Sequence, residues 1–71
     1  MRLNKAKIGV NYQVTEFQDC FIACKLMSMG ILPGTIVKVL RKSVLGSTFY
    51  IEYNQQFIAI RANEAQAISI N

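Results

Sequence analysis

Two cysteines are the side chains best suited to soft-metal or redox chemistry. Cys20 and Cys24 are four residues apart, so both point from one face if this segment is helical. Two such thiolates could hold a soft metal ion. A structural zinc site needs four ligands, however, and the sequence has no histidine and no second cysteine pair. A disulfide at this helical spacing would be strained. We therefore interpret the cysteines as small apolar fillers and expect no metal ligands and no cofactor.

Acid–base catalysis also lacks the residues that it needs. Histidine, the commonest general base, is absent. The carboxylates are scattered along the chain at Glu16, Asp19, Glu52 and Glu64. The segment Gly30–Thr35 superficially resembles a phosphate-binding loop, but only three residues separate its glycines and no lysine directly follows the second one. We expect no catalytic residues and no enzymatic activity.

A sharp corner in the middle of the chain marks the end of a predicted helix and the start of a predicted strand. Gly30 can take the left-handed conformation that closes a helix. Pro33 and Gly34 then fit a tight turn, because proline presets φ at the first central position and glycine accepts a positive φ at the second. Ile31 and Leu32 lie between the two breaks, and their apolar character indicates a corner that is buried or docked.

The helix before this corner is expected from about Cys20 to Met29, with Asp19 as its N-cap. Ile22, Leu26 and Met29 recur at helical spacing and form the predicted core stripe, whereas Met27 is the better candidate for exposure.

Alternating apolar residues predict short β-strands in the rest of the chain. Phe49, Ile51 and Tyr53 are expected to face inward, and Asn54-Gln55 to form a hairpin turn. Asn63 is the expected cap of one helical turn. The strands are predicted at 11–17, 35–42, 48–53, 56–61 and 67–70. This order predicts a mainly β fold, a small SH3-like barrel of about five strands with one inserted α-helix, in a single domain over residues 1–71.

Composition narrows the choice of partners. The chain has 71 residues, 52% of them hydrophobic, so we expect a folded core and an apolar surface patch for a partner. The net charge is +4, but only Arg41 and Lys42 are adjacent basic residues, so we expect no nucleic-acid partner. No apolar run is long enough to span a bilayer, and the N-terminus lacks a signal peptide's apolar region. We expect a cytoplasmic protein with no direct membrane insertion.

The whole chain resembles the FeoA family of bacterial ferrous-iron uptake. The resemblance is strongest at Lys25–Thr35, where a helix ends at glycine and an apolar-leucine-proline-glycine-threonine run follows. It continues through the strand Ile36–Arg41, the pair Leu45-Gly46, and the strand end Ile58–Arg61 followed by Glu64-Ala65. Each piece is short, but their order and spacing extend over most of the sequence.

The resemblance implies a non-enzymatic accessory protein that docks on FeoB, a membrane iron transporter with a cytoplasmic GTPase domain. We expect the partner to contact Lys25, Met27, Ile31, Leu32 and Arg41. An alternative is a metal-binding or metal-sensing module related to the C-terminal domain of iron-dependent repressors. A peptide-binding or nucleic-acid-binding SH3-like domain is a third hypothesis. The sequence leaves a homo-oligomer open.

Overall fold

A computed structural model describes residues 1–71 and contains two α-helices and one five-stranded antiparallel sheet. A 3₁₀ turn at Leu3–Lys5 comes first. The helices are α1, Cys20–Ser28, and α2, Ala62–Gln66. The strands are β1, Asn11–Phe17; β2, Ile36–Lys42; β3, Thr48–Tyr53; β4, Gln56–Arg61; and β5, Ile68–Ile70. Neither α-helix is long and apolar enough to cross a membrane.

The strands follow the order β4-β3-β2-β1-β5. The first half of β1 pairs with β2 and its second half with β5, so β1 joins the two parts of the sheet and the whole curves into a small barrel. Register shifts in β1 after Val14 and in β2 after Val39 mark bulges, which bend a strand and increase its twist. The fold is thus mainly β, with α1 inserted between β1 and β2, as the sequence predicts.

The barrel interior is filled by one apolar cluster. The strand alternation places Phe49, Ile51 and Tyr53 inside, each at most 4% exposed, as predicted. On α1 only Leu26 is fully buried, while Ile22 and the C-cap residue Met29 pack against the cluster from its margin. The buried cluster comprises Leu3, Ala6, Val14, Leu26, Ile31, Val37, Val39, Phe49, Ile51, Tyr53, Ile60, Ala65, Ile68 and Ile70.

Two local features differ from the sequence-based expectations. Leu3 precedes the first predicted strand and was assigned to no element, yet it is fully buried on the 3₁₀ turn. The second helix is capped by Arg61 and not by Asn63. Its start is set by Glu64, whose Oε1 accepts a hydrogen bond from the Arg61 amide at 2.8 Å. A carboxylate in the first turn also complements the positive end of the helix.

The predicted hairpin turn at Asn54-Gln55 is present. It has positive φ at both residues, as a two-residue type I′ turn requires.

One edge of the sheet, the outer side of β5, is covered by the N-terminus. Arg2 forms a β-bridge with Ser69, and the Ile70 amide donates to the Met1 carbonyl at 2.7 Å. These contacts leave little of that edge available for pairing with another chain.

The other edge, β4, is open over a short length. The Ala62 amide donates to the Ser47 carbonyl, which makes the adjacent Thr48–Arg61 pair a non-hydrogen-bonded one. By alternation, the backbone groups of Phe57 and Ala59 point away from β3. Both residues are exposed, and the Arg61 amide beyond them is already bonded to a carboxylate.

Candidate functional site

The corner after α1 is a Schellman motif with an apolar anchor. Gly30 has φ +92°, and its amide donates to the Met27 carbonyl at 3.0 Å. The Ile31 amide donates to the Leu26 carbonyl at 2.9 Å. These are the two bonds of the motif, in which the residue after the glycine packs back on the helix. Ile31 is accordingly fully buried. This corrects the expectation that Ile31 contacts a partner, because its side chain lies in the core.

A tight turn follows directly and is held against β1. The Thr35 amide donates to the Leu32 carbonyl at 2.9 Å, and Gly34 has φ +98°, as a type II turn requires at its third position. The Gly34 amide donates to the Val14 carbonyl at 2.7 Å, and the Val14 amide donates to the Thr35 carbonyl at 2.9 Å. The Leu32 side chain remains 49% exposed on this rigid turn.

Tyr53 connects the end of α1 to β3. Its ring is 2% exposed, and its hydroxyl donates to the Met29 carbonyl at 2.7 Å. A Cβ on Gly30 would lie 3.9 Å from Tyr53 Cε2, so the ring packs beside the glycine. The hydrogen bond satisfies one of the carbonyls that a helix end leaves unpaired. The corner is therefore fixed from the helix, from β1 and from β3.

Glu64 connects α1 to α2. It is the only charged residue that is buried, at 6% exposure. Its Oε2 accepts a hydrogen bond from Lys25 Nζ at 2.5 Å, while Oε1 holds the Arg61 amide. Burial by itself raises the pKa of Glu64. The hydrogen bonds from Lys25 and Arg61 and the charges of both outweigh it, so the pKa lies below its ordinary value of 4.5.

This ion pair changes the role assigned to Lys25. Its side chain is 58% exposed, but its ammonium is already bonded to Glu64. Lys25 thus joins two helices of its own chain. This partner could not be predicted from the sequence, because the two residues are 39 positions apart. Only the local role of Glu64 could be predicted: a glutamate at the third position of a short helix can accept a hydrogen bond from a backbone amide at the helix start.

Arg41 lies apart from the corner, on the β2–β3 hairpin. Its guanidinium lies 4.2 Å from the centre of the Tyr50 ring, its cross-strand neighbour. Lys42 Nζ lies 5.3 Å from the centre of the Phe49 ring. Of the five expected contact residues, Met27, 42% exposed, and Leu32 are the apolar ones that remain available. We call the exposed side chains of Met27 and Leu32 the corner surface.

Sequence reasoning missed several more exposed apolar side chains. Val44 and Leu45 are 102% and 91% exposed at the tip of the β2–β3 hairpin. Phe21 on α1 is 84% exposed, and Phe57 on β4 is 68% exposed. The exposure of Val44 and Leu45 could have been predicted from the sequence. They are adjacent apolar residues in the loop between two predicted strands, where no core is available to bury them.

The two cysteines are free thiols, and both are exposed on α1. This differs from the expectation that they fill apolar space. No group of three or more histidine, cysteine, aspartate or glutamate side chains is placed to hold a metal ion.

Solved structures share this fold. FeoA of Stenotrophomonas maltophilia, a zinc complex described as an SH3 domain protein, is 24% identical with a TM-score of 0.87; the match covers all of this chain and 89% of that one. A manganese-dependent transcriptional repressor is 18% identical with a TM-score of 0.84 over 96% of this chain and 39% of its own. At these identities the likeness shows the fold alone. It confirms the SH3-like barrel and its occurrence in a metal-dependent repressor.

Closer relatives identify the family. The FeoA domain model matches residues 1–71. A curated Helicobacter pylori protein named Fe(2+) transport protein A is 33% identical over 99% of this chain and 92% of its own length. The solution structure of FeoA from Chlorobium tepidum is 31% identical, with a TM-score of 0.90, over 99% of this chain and 68% of that one. The sequence resemblance is therefore confirmed, and this chain belongs to the FeoA family of Fe(II) transport.

Proposed function

We propose that this protein is a non-enzymatic accessory subunit that docks on the cytoplasmic, GTPase-bearing part of a FeoB-like iron transporter. It acts in the cytoplasm and changes the transporter's conformation or GTP cycle through binding. A bound protein can shift such an equilibrium only if its affinity differs between the two states. The proposal rests on membership of a family of Fe(II) transport proteins and on the corner surface of this chain.

The observation that carries the proposal is the combination of exposure and rigidity at the corner. Met27 and Leu32 are 42% and 49% exposed, yet the backbone around them is fixed by the Schellman motif and the type II turn. Apolar side chains on a preorganised backbone lose little conformational entropy on binding. Such a surface suits an apolar groove on a larger partner.

Calorimetry of the purified protein with the transporter's cytoplasmic domain tests this proposal. Met27→Asp and Leu32→Asp each place a charge where an apolar contact is proposed, and each should weaken binding by about tenfold or more. Phe57→Asp is the matched control, because Phe57 is an exposed apolar residue on a different element, β4. Titrations in GTP and in GDP would show which state is favoured.

Lys25 is a poor probe of the same surface. Charge reversal there would place two carboxylates together at Glu64 and disturb the fold.

Unchanged affinity of both aspartate variants, with intact circular dichroism spectra, would exclude the corner surface. Absence of binding by the wild-type chain in either nucleotide state would exclude docking on this domain.

The metal-sensing alternative makes a separate prediction. It requires stoichiometric binding of Fe(II), Mn(II) or Zn(II) that is lost when Cys20 and Cys24 are both replaced by serine. Equilibrium dialysis of the two proteins distinguishes the hypotheses, because docking through the corner surface does not depend on either thiol.

A further inference from the structure

The tip of the β2–β3 hairpin is the most exposed apolar feature of the molecule. Val44 is 102% exposed and Leu45 is 91% exposed, so neither side chain is covered by any other part of the chain. They lie together at the end of two paired strands. A protruding apolar tip cannot enclose a small ligand, but it can enter a soft apolar layer.

The loop that carries the tip is well ordered by its own hydrogen bonds. Ser43 Oγ accepts bonds from the Ser47 amide at 3.0 Å and the Thr48 amide at 3.1 Å. The Gly46 amide donates to the Ser43 carbonyl at 2.9 Å, and Gly46 has φ +72°. These bonds fix the backbone in which Val44 and Leu45 stand, so little backbone ordering remains to be done on binding.

Two cations lie at the base of the tip, one on each face of the hairpin. Directly opposed residues share a face, so Arg41 lies with Tyr50 and Lys42 with Phe49 on the other side. Their charged groups lie against these rings, and neither forms a salt bridge. No carboxylate occurs between Ile36 and Ile51. The hairpin end is therefore apolar at its tip and positive around it.

We infer that this hairpin docks on the surface of an anionic lipid bilayer. Val44 and Leu45 would enter the boundary between headgroups and acyl chains, while Arg41 and Lys42 meet the lipid phosphates. Apolar burial combined with attraction to anionic lipid is the general basis of peripheral membrane binding. The contact is shallow and reversible and needs no spanning segment. An aliphatic tip also has no aromatic ring on which a nucleic-acid base could stack.

Sedimentation with lipid vesicles tests the inference. The wild-type chain should bind vesicles of equal parts phosphatidylcholine and phosphatidylglycerol, and bind phosphatidylcholine alone far more weakly. The double variant Arg41→Gln, Lys42→Gln should bind the mixed vesicles about 25-fold more weakly, with a loss of about fivefold for each cation. The double variant Val44→Ser, Leu45→Ser should bind about tenfold more weakly.

Phe57→Ser is the matched control, because Phe57 is exposed on β4 beside the end of β3 that is far from the tip. This variant should bind the vesicles as tightly as the wild type. The chain has no tryptophan, so Leu45→Trp introduces a single tryptophan whose emission can be excited apart from that of the tyrosines. Its emission should shift to the blue on the mixed vesicles, whereas that of Phe57→Trp should not.

Three results would overturn the inference. They are equal binding to neutral and mixed vesicles, wild-type binding by the serine double variant, and an unshifted emission of Leu45→Trp on the mixed vesicles. The second of these results, together with weak binding by the glutamine double variant, would show general electrostatic attraction without insertion of the tip. None of these outcomes depends on the transporter, so this inference and the proposed function are tested separately.

Discussion

Replacing Glu64 by glutamine should lower the free energy of unfolding by about 2 kcal/mol at neutral pH. Glu64 is 6% exposed, and its carboxylate accepts hydrogen bonds from Lys25 Nζ and from the Arg61 amide. Glutamine keeps an oxygen for the Arg61 amide but turns an N–H group toward the Lys25 ammonium. A hydrogen bond to a charged group contributes about 1.5–3 kcal/mol, and the 58% exposure of Lys25 favours the lower half of that range.

Urea unfolding followed by far-ultraviolet circular dichroism measures this change. A chain of this size has a denaturant slope of about 1 kcal/mol/M, so the midpoint should fall by about 2 M. Glu16→Gln is the matched control, because Glu16 is exposed and forms no salt bridge. Its stability should remain within about 0.5 kcal/mol of the wild type.

The pH dependence gives the sharper check. The pKa of Glu64 is lower in the folded protein than its ordinary value of 4.5, so its contribution is fully present above pH 4.5. It is lost as the pH falls through the folded pKa, where the wild-type carboxyl becomes neutral. The difference between wild type and Glu64→Gln should therefore shrink below pH 4.5. A midpoint equal to the wild type at pH 7, or a difference that persists undiminished in acid, would refute the reasoning.

Two further substitutions test the corner. Gly30→Ala places a Cβ on a residue with φ +92° and should lower the free energy of unfolding by about 1–2 kcal/mol. The nearest atom to that Cβ, on Tyr53, is 3.9 Å away, so the cost is backbone strain and not a steric clash. A smaller decrease, measured by thermal unfolding, would contradict the left-handed conformation of Gly30. Ile31→Ala should lower the free energy of unfolding by about 2–4 kcal/mol, because Ile31 is fully buried. Leu32→Ala should lower it by under about 1 kcal/mol, because Leu32 is 49% exposed. Similar decreases for the two variants would show that the corner packs differently.

The barrel could be predicted from the sequence where side-chain alternation carried the information. Phe49, Ile51 and Tyr53 alternate with polar or half-exposed neighbours, and a strand has a period of two, so their inward direction follows directly. Leu3 was missed because a three-residue 3₁₀ turn has too few residues to show a period. Its burial depends on packing against elements far along the chain.

The candidate site was predictable in its backbone and less so in its side chains. Glycine and proline at the corner specify left-handed and turn conformations through their own stereochemistry. Ile31 and Leu32 are adjacent aliphatic residues, so residue type alone cannot show which of them is buried. Only the Schellman geometry, which turns the residue after Gly30 back onto the helix, decides that the first is buried and the second exposed.

The short open edge of β4 has a consequence for solubility. Only Phe57 and Ala59 offer backbone groups that a strand from another molecule could bond, and two residues are too few to nucleate strong intermolecular pairing. Glu64 keeps this edge short, because it occupies the amide of Arg61. Loss of that side chain, as in Glu64→Ala, would extend the template by one residue on an edge that carries an exposed phenylalanine. We therefore expect the residue that joins the two helices to limit aggregation of the folded protein as well.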